Sequence, residues 1–248
     1  MKKGLILLAS GLLLAASLQA LAAGSQQPVT VKGDEVTYNS KTGETVITGR
    51  VTISQAEGTI SGDKAVYNMK NGAGEISGNV VANKGELGLT AALLSVTDNG
   101  DNMVASGGAV LTKGPDRLSA PTVSYWSQEG RALTSGGRAR LDSAGGLLQA
   151  DVIESFTKES RAVATGDVSL KSDSRNLEAT ADRADYQGAT DDKRAQAVLT
   201  GNAWATQDGN VLTGNRLIMS LDDRVSDADG NAKLVITPKP ATVKKEGE

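Results

Sequence analysis

The chain has 248 residues, a formal net charge of -3, no cysteine and no histidine, and only 3% aromatic residues against 29 glycines. Without Cys or His there is no disulfide frame, thiolate nucleophile, imidazole base or Ser-His-Asp triad, so most hydrolase and metalloenzyme readings fall away, while a carboxylate-only mechanism survives as a minor enzymatic option. Past the first residues no basic block occurs before Lys244-Lys245, so the clustered positive footprint of a nucleic-acid binder is missing and no nucleic-acid partner is expected.

Residues 1–23 open with Lys2 and Lys3, continue through a mostly apolar run from Leu5 to Leu18, and end in small residues around Ala20-Leu21-Ala22. This is the layout of a secretory signal peptide cleaved after Ala22 or Ala23. The rival reading is a retained anchor, since residues 4–23 approach the length that spans a bilayer. No cysteine exists to acylate, which excludes a lipoprotein. Loss of Lys2 and Lys3 brings the formal charge from -3 to -5.

From residue 28 the chain repeats itself. A corner glycine recurs at Gly49, Gly78, Gly107, Gly137, Gly166, Gly201 and Gly230, at intervals of 29, 29, 30, 29, 35 and 29 residues. The segments VKGDEVTY (31–38), ISGDKAVY (60–67), LTAALLSV (89–96), LSAPTVSY (118–125), LQADVIES (148–155), ATADRADY (179–186) and LTGNRLIM (212–219) recur in step. A single unit of this kind buries no apolar face alone, whereas stacked copies do.

Within each copy the apolar period is two, which predicts strands. Val31 and the pair Val36/Tyr38 have opposite parity, so a bend is expected at Gly33-Asp34. A second parity switch is expected at Gly49, between Val46/Thr48 and Val51/Ile53. Each copy thus reads as two bent strands joined by a polar turn, the first at Asn39–Gly43. The sixth copy carries a longer loop at 188–196, and PKPATVKKEGE from Pro238 has no periodicity and is expected to be a disordered tail. The expected layout is a signal peptide over 1–23, one repeat-built β domain over 24–237 and the tail over 238–248.

Asp34, Asp63, Asp151 and Asp182 recur at the first corner, with Asn215 in the last copy. Read as chemistry they are a column of ligands or catalytic carboxylates. Read as structure they are turn formers that bond nearby backbone. Ala92 and Pro121 occupy the same position in the third and fourth copies, which favours structure; neither metal nor cofactor is expected.

The inward positions form apolar columns. One runs Val31, Ile60, Leu89, Leu118, Leu148 and Leu212; a second Val36, Leu94, Val123, Ile153 and Leu217; a third Tyr38, Tyr67, Val96, Tyr125, Tyr186 and Met219. After each glycine come the pairs Val51/Ile53, Val80/Ala82, Ala109/Leu111, Ala139/Leu141, Val168/Leu170, Ala203/Ala205 and Ala232/Leu234. Taken alone, such columns are more often core than binding groove. So few aromatics leave two readings open: a narrow core of small aliphatics, or an interior that encloses incompletely filled space.

GDEVTYNSKTGETVITGRVTISQ, echoed by GDKAVYNMKNGAGEISGNVVAN and by ATADRADYQ with VLTGNAWATQDG, resembles the OstA-like repeats of periplasmic lipopolysaccharide-transport proteins, the LptA/OstA-like family. The resemblance spans roughly residues 28–236 and rests on the repeat pattern. It implies an all-β fold, an open β-jelly roll or bent antiparallel trough of about seven two-strand repeats, located in the periplasm. It also implies that the larger aliphatic and aromatic members of the columns, Leu234 aside, twenty-four residues in all, line a groove for the acyl chains of lipid A. The implied partners are lipopolysaccharide, an inner-membrane extraction complex and an outer-membrane assembly barrel, with head-to-tail self-association through edge strands. Two other readings remain beside it: a structural or adhesive β-solenoid of closed coils at the cell surface, and a carbohydrate enzyme built on the Asp column.

Overall fold

The computed structural model describes residues 30–55, 58–143, 145–189, 194–220 and 226–237. The expected signal peptide and tail lie outside these residues, as do residues 190–193 of the long loop of the sixth copy. Among the described residues, eighteen strand segments form one sheet. Four pairs of segments are single strands interrupted at a corner: Thr30–Lys32 with Glu35–Asn39, Arg131–Ser135 with Ala139–Ser143, Gly146–Ala150 with Val152–Phe156, and Ser226–Asp229 with Lys233–Val235. Eighteen segments less these four joins leave fourteen long strands, two for each of the seven repeats.

Every strand pairs antiparallel with its neighbours in sequence. The chain therefore meanders and does not coil, which removes the closed coils of the solenoid reading. Successive hairpin turns also stack along one rim: Met69 N–H donates to the Gly43 carbonyl at 2.9 Å, Thr157 to Gly130 at 2.8 Å and Gly188 to Ser160 at 2.8 Å.

Uninterrupted strands alternate in length. Gly58–Asn68, Leu87–Thr97 and Asp116–Trp126 have 11 residues, whereas Glu44–Gln55, Ala73–Lys84 and Asn102–Lys113 have 12. The additional residue sits at the glycine corner. There Gly49 and Arg50 both have positive φ (69° and 47°), as do Gly78 and Asn79 (77° and 50°), Gly166 and Asp167 (80° and 44°) and Gly201 and Asn202 (77° and 47°). Two consecutive left-handed residues turn the strand sharply, and the first must be glycine because a side chain has no room. A Cβ on Gly49, Gly78, Gly166 or Gly201 would lie 2.2–2.4 Å from an oxygen of Asp34, Asp63, Asp151 or Asp182.

The aspartates are thus structural clips. Asp34 lies against the Gly49 Cα, receives the Arg50 Nε at 2.9 Å and donates its own N–H to the Thr48 and Gly49 carbonyls at 2.9 Å. Asp63 and Asp182 accept from the Asn79 and Asn202 amides at 3.0 Å. The fourth copy departs. Its corner holds Gly136 and Gly137 (φ 85° and 145°), one residue more than elsewhere, which accounts for the interval of 30. Pro121 replaces the aspartate and packs against both glycines, a place where a strand tolerates a missing N–H.

The geometry corrects one expectation. Parity does switch at Gly33-Asp34, where one residue is inserted, but it does not switch at Gly49. A two-residue corner preserves the alternation, so Ile47 rather than Val46 or Thr48 faces inward, 1% exposed.

Gly201→Ala combines a strained φ with a contact on Asp182 and is expected to cost about 1–3 kcal/mol. Asp182→Ala in the same chain relieves the contact but not the φ, so the double variant falls between G201A and wild type in urea unfolding midpoint. A G201A midpoint indistinguishable from wild type would refute this account of the corner.

Candidate functional site

Bending every strand at its middle folds the sheet into two walls whose inner faces look at each other. Three rows of side chains run along them. On the first wall, adjacent-strand partners link Val31, Ile53, Ile60, Ala82, Leu89, Leu111, Leu118, Leu141, Leu148, Leu170, Ala179, Ala205, Leu212 and Leu234 without a break. This leucine wall has one rung on each of the fourteen strands.

The second wall carries two rows. The one nearer the corner links Val36, Ile47, Ala65, Ile76, Leu94, Ala105, Val123 and Thr134, then resumes through Ile153, Ala164, Ala184, Leu199, Leu217 and Ala228. Across the join the Ile153 N–H donates to the Thr134 Oγ1 at 2.8 Å, so the hydroxyl takes the place of a ladder carbonyl. The farther row links Tyr38, Thr45, Tyr67, Gly74, Val96, Met103, Tyr125, Ala132, Ser155, Ala162, Tyr186, Ala197, Met219 and Ser226. In this tyrosine wall each ring stands beside a small residue. A Cβ on Gly74 would come 2.6 Å from the Tyr67 ring.

At the corner itself the inner residues are small: Val51 faces Gly62, Val80 faces Ala91, Ala109 faces Ala120 and Ala139 faces Ala150. Small side chains let the walls converge, and one apolar cluster spans both.

All twenty-four residues singled out as candidate lining lie on these inner faces, but they do not share one environment. In the middle of the trough protein atoms alone shield them: Leu89 and Leu111 are 1% exposed, and Leu148 and Leu217 0%. A cavity of about 10 Å³ lies between the walls, lined by Leu89 and Leu111 from one and Leu94, Met103, Ala105, Val123 and Tyr125 from the other. That volume is about the smallest that holds a water. Of the two readings of the aromatic-poor composition, the narrow aliphatic core describes the middle. Burial also pushes the Tyr125 phenol above its ordinary pKa, which keeps it neutral in this apolar setting.

The ends are open. Val36 and Tyr38 are 52% and 57% exposed at one end, and Leu234 is 58% exposed at the other. The rows therefore end in exposed apolar rungs at both free edges of the sheet.

Ile47, Ile76, Leu199 and Met103 are buried members of these rows that the sequence reading left out. The signal for the first three was present, two residues before each corner glycine. It was lost by assuming a parity switch there.

A model of the LptA/LptD N-terminal domain lipopolysaccharide-transport family matches residues 59–225, more than half of the chain. Among curated proteins none matches. A solved structure that aligns is LptH, described as the LptA-homologous periplasmic component of the lipopolysaccharide transport device of Pseudomonas aeruginosa. It is 14% identical, the alignment covers 86% of this chain and 97% of that one, and the TM-score is 0.18, a level at which the superposition carries no weight. The family match and the trough of seven two-strand repeats agree, and this chain belongs to the LptA/LptD N-terminal domain family of lipopolysaccharide-transport proteins.

Proposed function

We propose that the chain is a periplasmic bridge that holds the acyl chains of lipid A between its two walls and passes lipopolysaccharide from the inner to the outer membrane. The observation that supports this most is the unbroken leucine row, which offers an apolar path across all fourteen strands. At ~4.8 Å per strand the path is about 60 Å long. Each methylene withdrawn from water contributes about 0.8 kcal/mol, so a dozen-carbon chain gains on the order of 10 kcal/mol by staying on that path. Saccharide and phosphate groups remain outside in water.

Export follows from residues 1–23 acting as a signal peptide. Cargo enters at an exposed end, beside Val36 and Tyr38 or beside Leu234, and advances by parting walls that are otherwise closed on each other. The sequence has no phosphate-binding loop, so the driving energy is supplied by an ATPase of the inner-membrane extraction complex. The terminal strands offer unpaired backbone groups to the edge strands of the proteins on either side, the extraction complex at one end and the outer-membrane assembly barrel at the other.

A photo-crosslinking residue at Leu89 or Leu118 is expected to capture lipopolysaccharide during transport, while one at the outward Lys64 is not. Capture from Lys64 alone would refute an interior path. Leu111→Ala, which widens the cavity between the walls, is expected to lower stability by about 2–5 kcal/mol in urea. Lipopolysaccharide should then raise its melting temperature by more than it raises that of wild type, because widened walls part more easily. Equal shifts would place the binding site elsewhere.

A further inference from the structure

An antiparallel sheet with an even number of strands has a property that bears on its ends. The first strand runs from the leucine wall to the tyrosine wall and the last runs back, so the first strand of a second copy could continue the meander. The repeat sets the register of such a junction. At five of the six junctions between repeats, the fourth-to-fifth excepted, the residue before the corner glycine pairs with the residue after the corner aspartate position: Thr48 with Lys64, Ser77 with Leu93, Ser106 with Thr122, Thr165 with Arg183 and Thr200 with Arg216. Three residues after the glycine the outward pairs are Thr52 with Ser61, Val81 with Thr90, Val110 with Ser119, Arg140 with Gln149, Ser169 with Thr180 and Trp204 with Thr213. None of these pairs brings like charges together.

Carried to a junction between two copies, the same register sets Leu234 against Val31 and Ala228 against Val36, which continues both apolar rows. It also sets Asp229 against Glu35 and Lys233 against Lys32. Both outward pairs become like-charged, and all four residues are exposed edge residues. Like charges directly opposite each other destabilise strand pairing, and edge charges are a general means of refusing a wrong strand. Lys32 and Asp229 are also out of keeping with their columns: elsewhere the Lys32 position is Ser, Thr or Gln, and the Asp229 position is Ser or Thr in every repeat with a pair there. Glu35 is the one acidic residue in a variable column, and Lys233 shares a basic charge with Arg140 alone. Asp229 accepts from Arg216 of its own hairpin at 3.2 Å, so a second copy would bring Glu35 to its other side.

We infer that the C-terminal edge, Ser226–Asp229 with Lys233–Val235, is built to accept the edge strand of a different protein and to refuse a second copy of this chain. The accepted strand has the same corner and aliphatic positions, but an acidic residue opposite Lys233 and, three residues on, a Lys or Arg opposite Asp229. This deepens the bridge reading and rests on its use of the terminal strands as docking edges. It implies that one copy of this seven-repeat chain, not a stack of copies, lies between its neighbours. The apolar rows set the geometry of docking and the four charges set the identity of the partner.

Lys32→Glu with Glu35→Lys gives the chain the edge that its own C-terminus should accept. In sedimentation velocity the full wild-type chain is expected to run as a monomer. The double variant is expected to form a concentration-dependent series of end-to-end oligomers, with an association constant raised at least roughly tenfold by the two corrected pairs. Adding Lys233→Glu restores a like-charged pair and should return the distribution toward monomer. End-to-end oligomers of wild type as abundant as those of the variant would overturn the inference, as would a monomeric double variant whose circular dichroism and melting temperature match wild type. Lipopolysaccharide capture from Leu89 reports separately on the transport reading, so loss of one result does not carry the other with it.

Discussion

The structure depends on a two-residue left-handed corner. A strand of about a dozen residues kept straight would show its apolar positions on one face of a flat sheet, half of it without a partner. Two successive residues at positive φ fold the strand on itself, so the same face serves as both walls of an interior. L-residues adopt that conformation at a cost, and here it is offset by glycine at the first position and by a carboxylate clip on the neighbouring strand. Asp34, Asp63, Asp151 and Asp182 look like chemistry in a list of residues. In the fold they serve the bend.

With the bend in place, side-chain size shapes the interior. The corner rows are valine, alanine and glycine, which brings the walls together, and leucines dominate one face farther out. Tyrosines stand opposite, each beside Gly74, Ala132, Ala162, Ala197 or another small neighbour that makes room for its ring. The scarcity of aromatics follows from this alternation: a ring fits only where the adjacent strand gives up its side chain. Thr134 and Ser155 add a polar spot where the fourth repeat meets the fifth, 2% and 6% exposed, beside the corner that is one residue longer.

Much of this was legible in the sequence. The number of strands, their hairpin turns and the first corner follow from the intervals between glycines and from the parity change at Gly33-Asp34. The second corner did not yield to the same reasoning. In ETVITG both Val46 and Ile47 are β-branched and apolar, so alternation alone does not say which is inside. The answer depends on how many residues the corner consumes, which is a matter of dihedral angles. How full the interior is could not be read at all, because it depends on the distance between two walls that never pair through their backbones. The charges at the two edges were visible as letters but had no meaning until the register supplied their opposites.

The alternating 12- and 11-residue strands return the chain to the same rim, facing the same way, after each repeat. Length is therefore a discrete quantity in this architecture. Gain or loss of one whole unit, such as residues 59–87, changes the trough by two strands, roughly 10 Å, and leaves every surviving row in alignment. Gain or loss of one residue within a strand, away from its corner, turns the side chains beyond it to the opposite face. Gene duplication in steps of one repeat would thus lengthen the apolar rows without disturbing them, which no single substitution does.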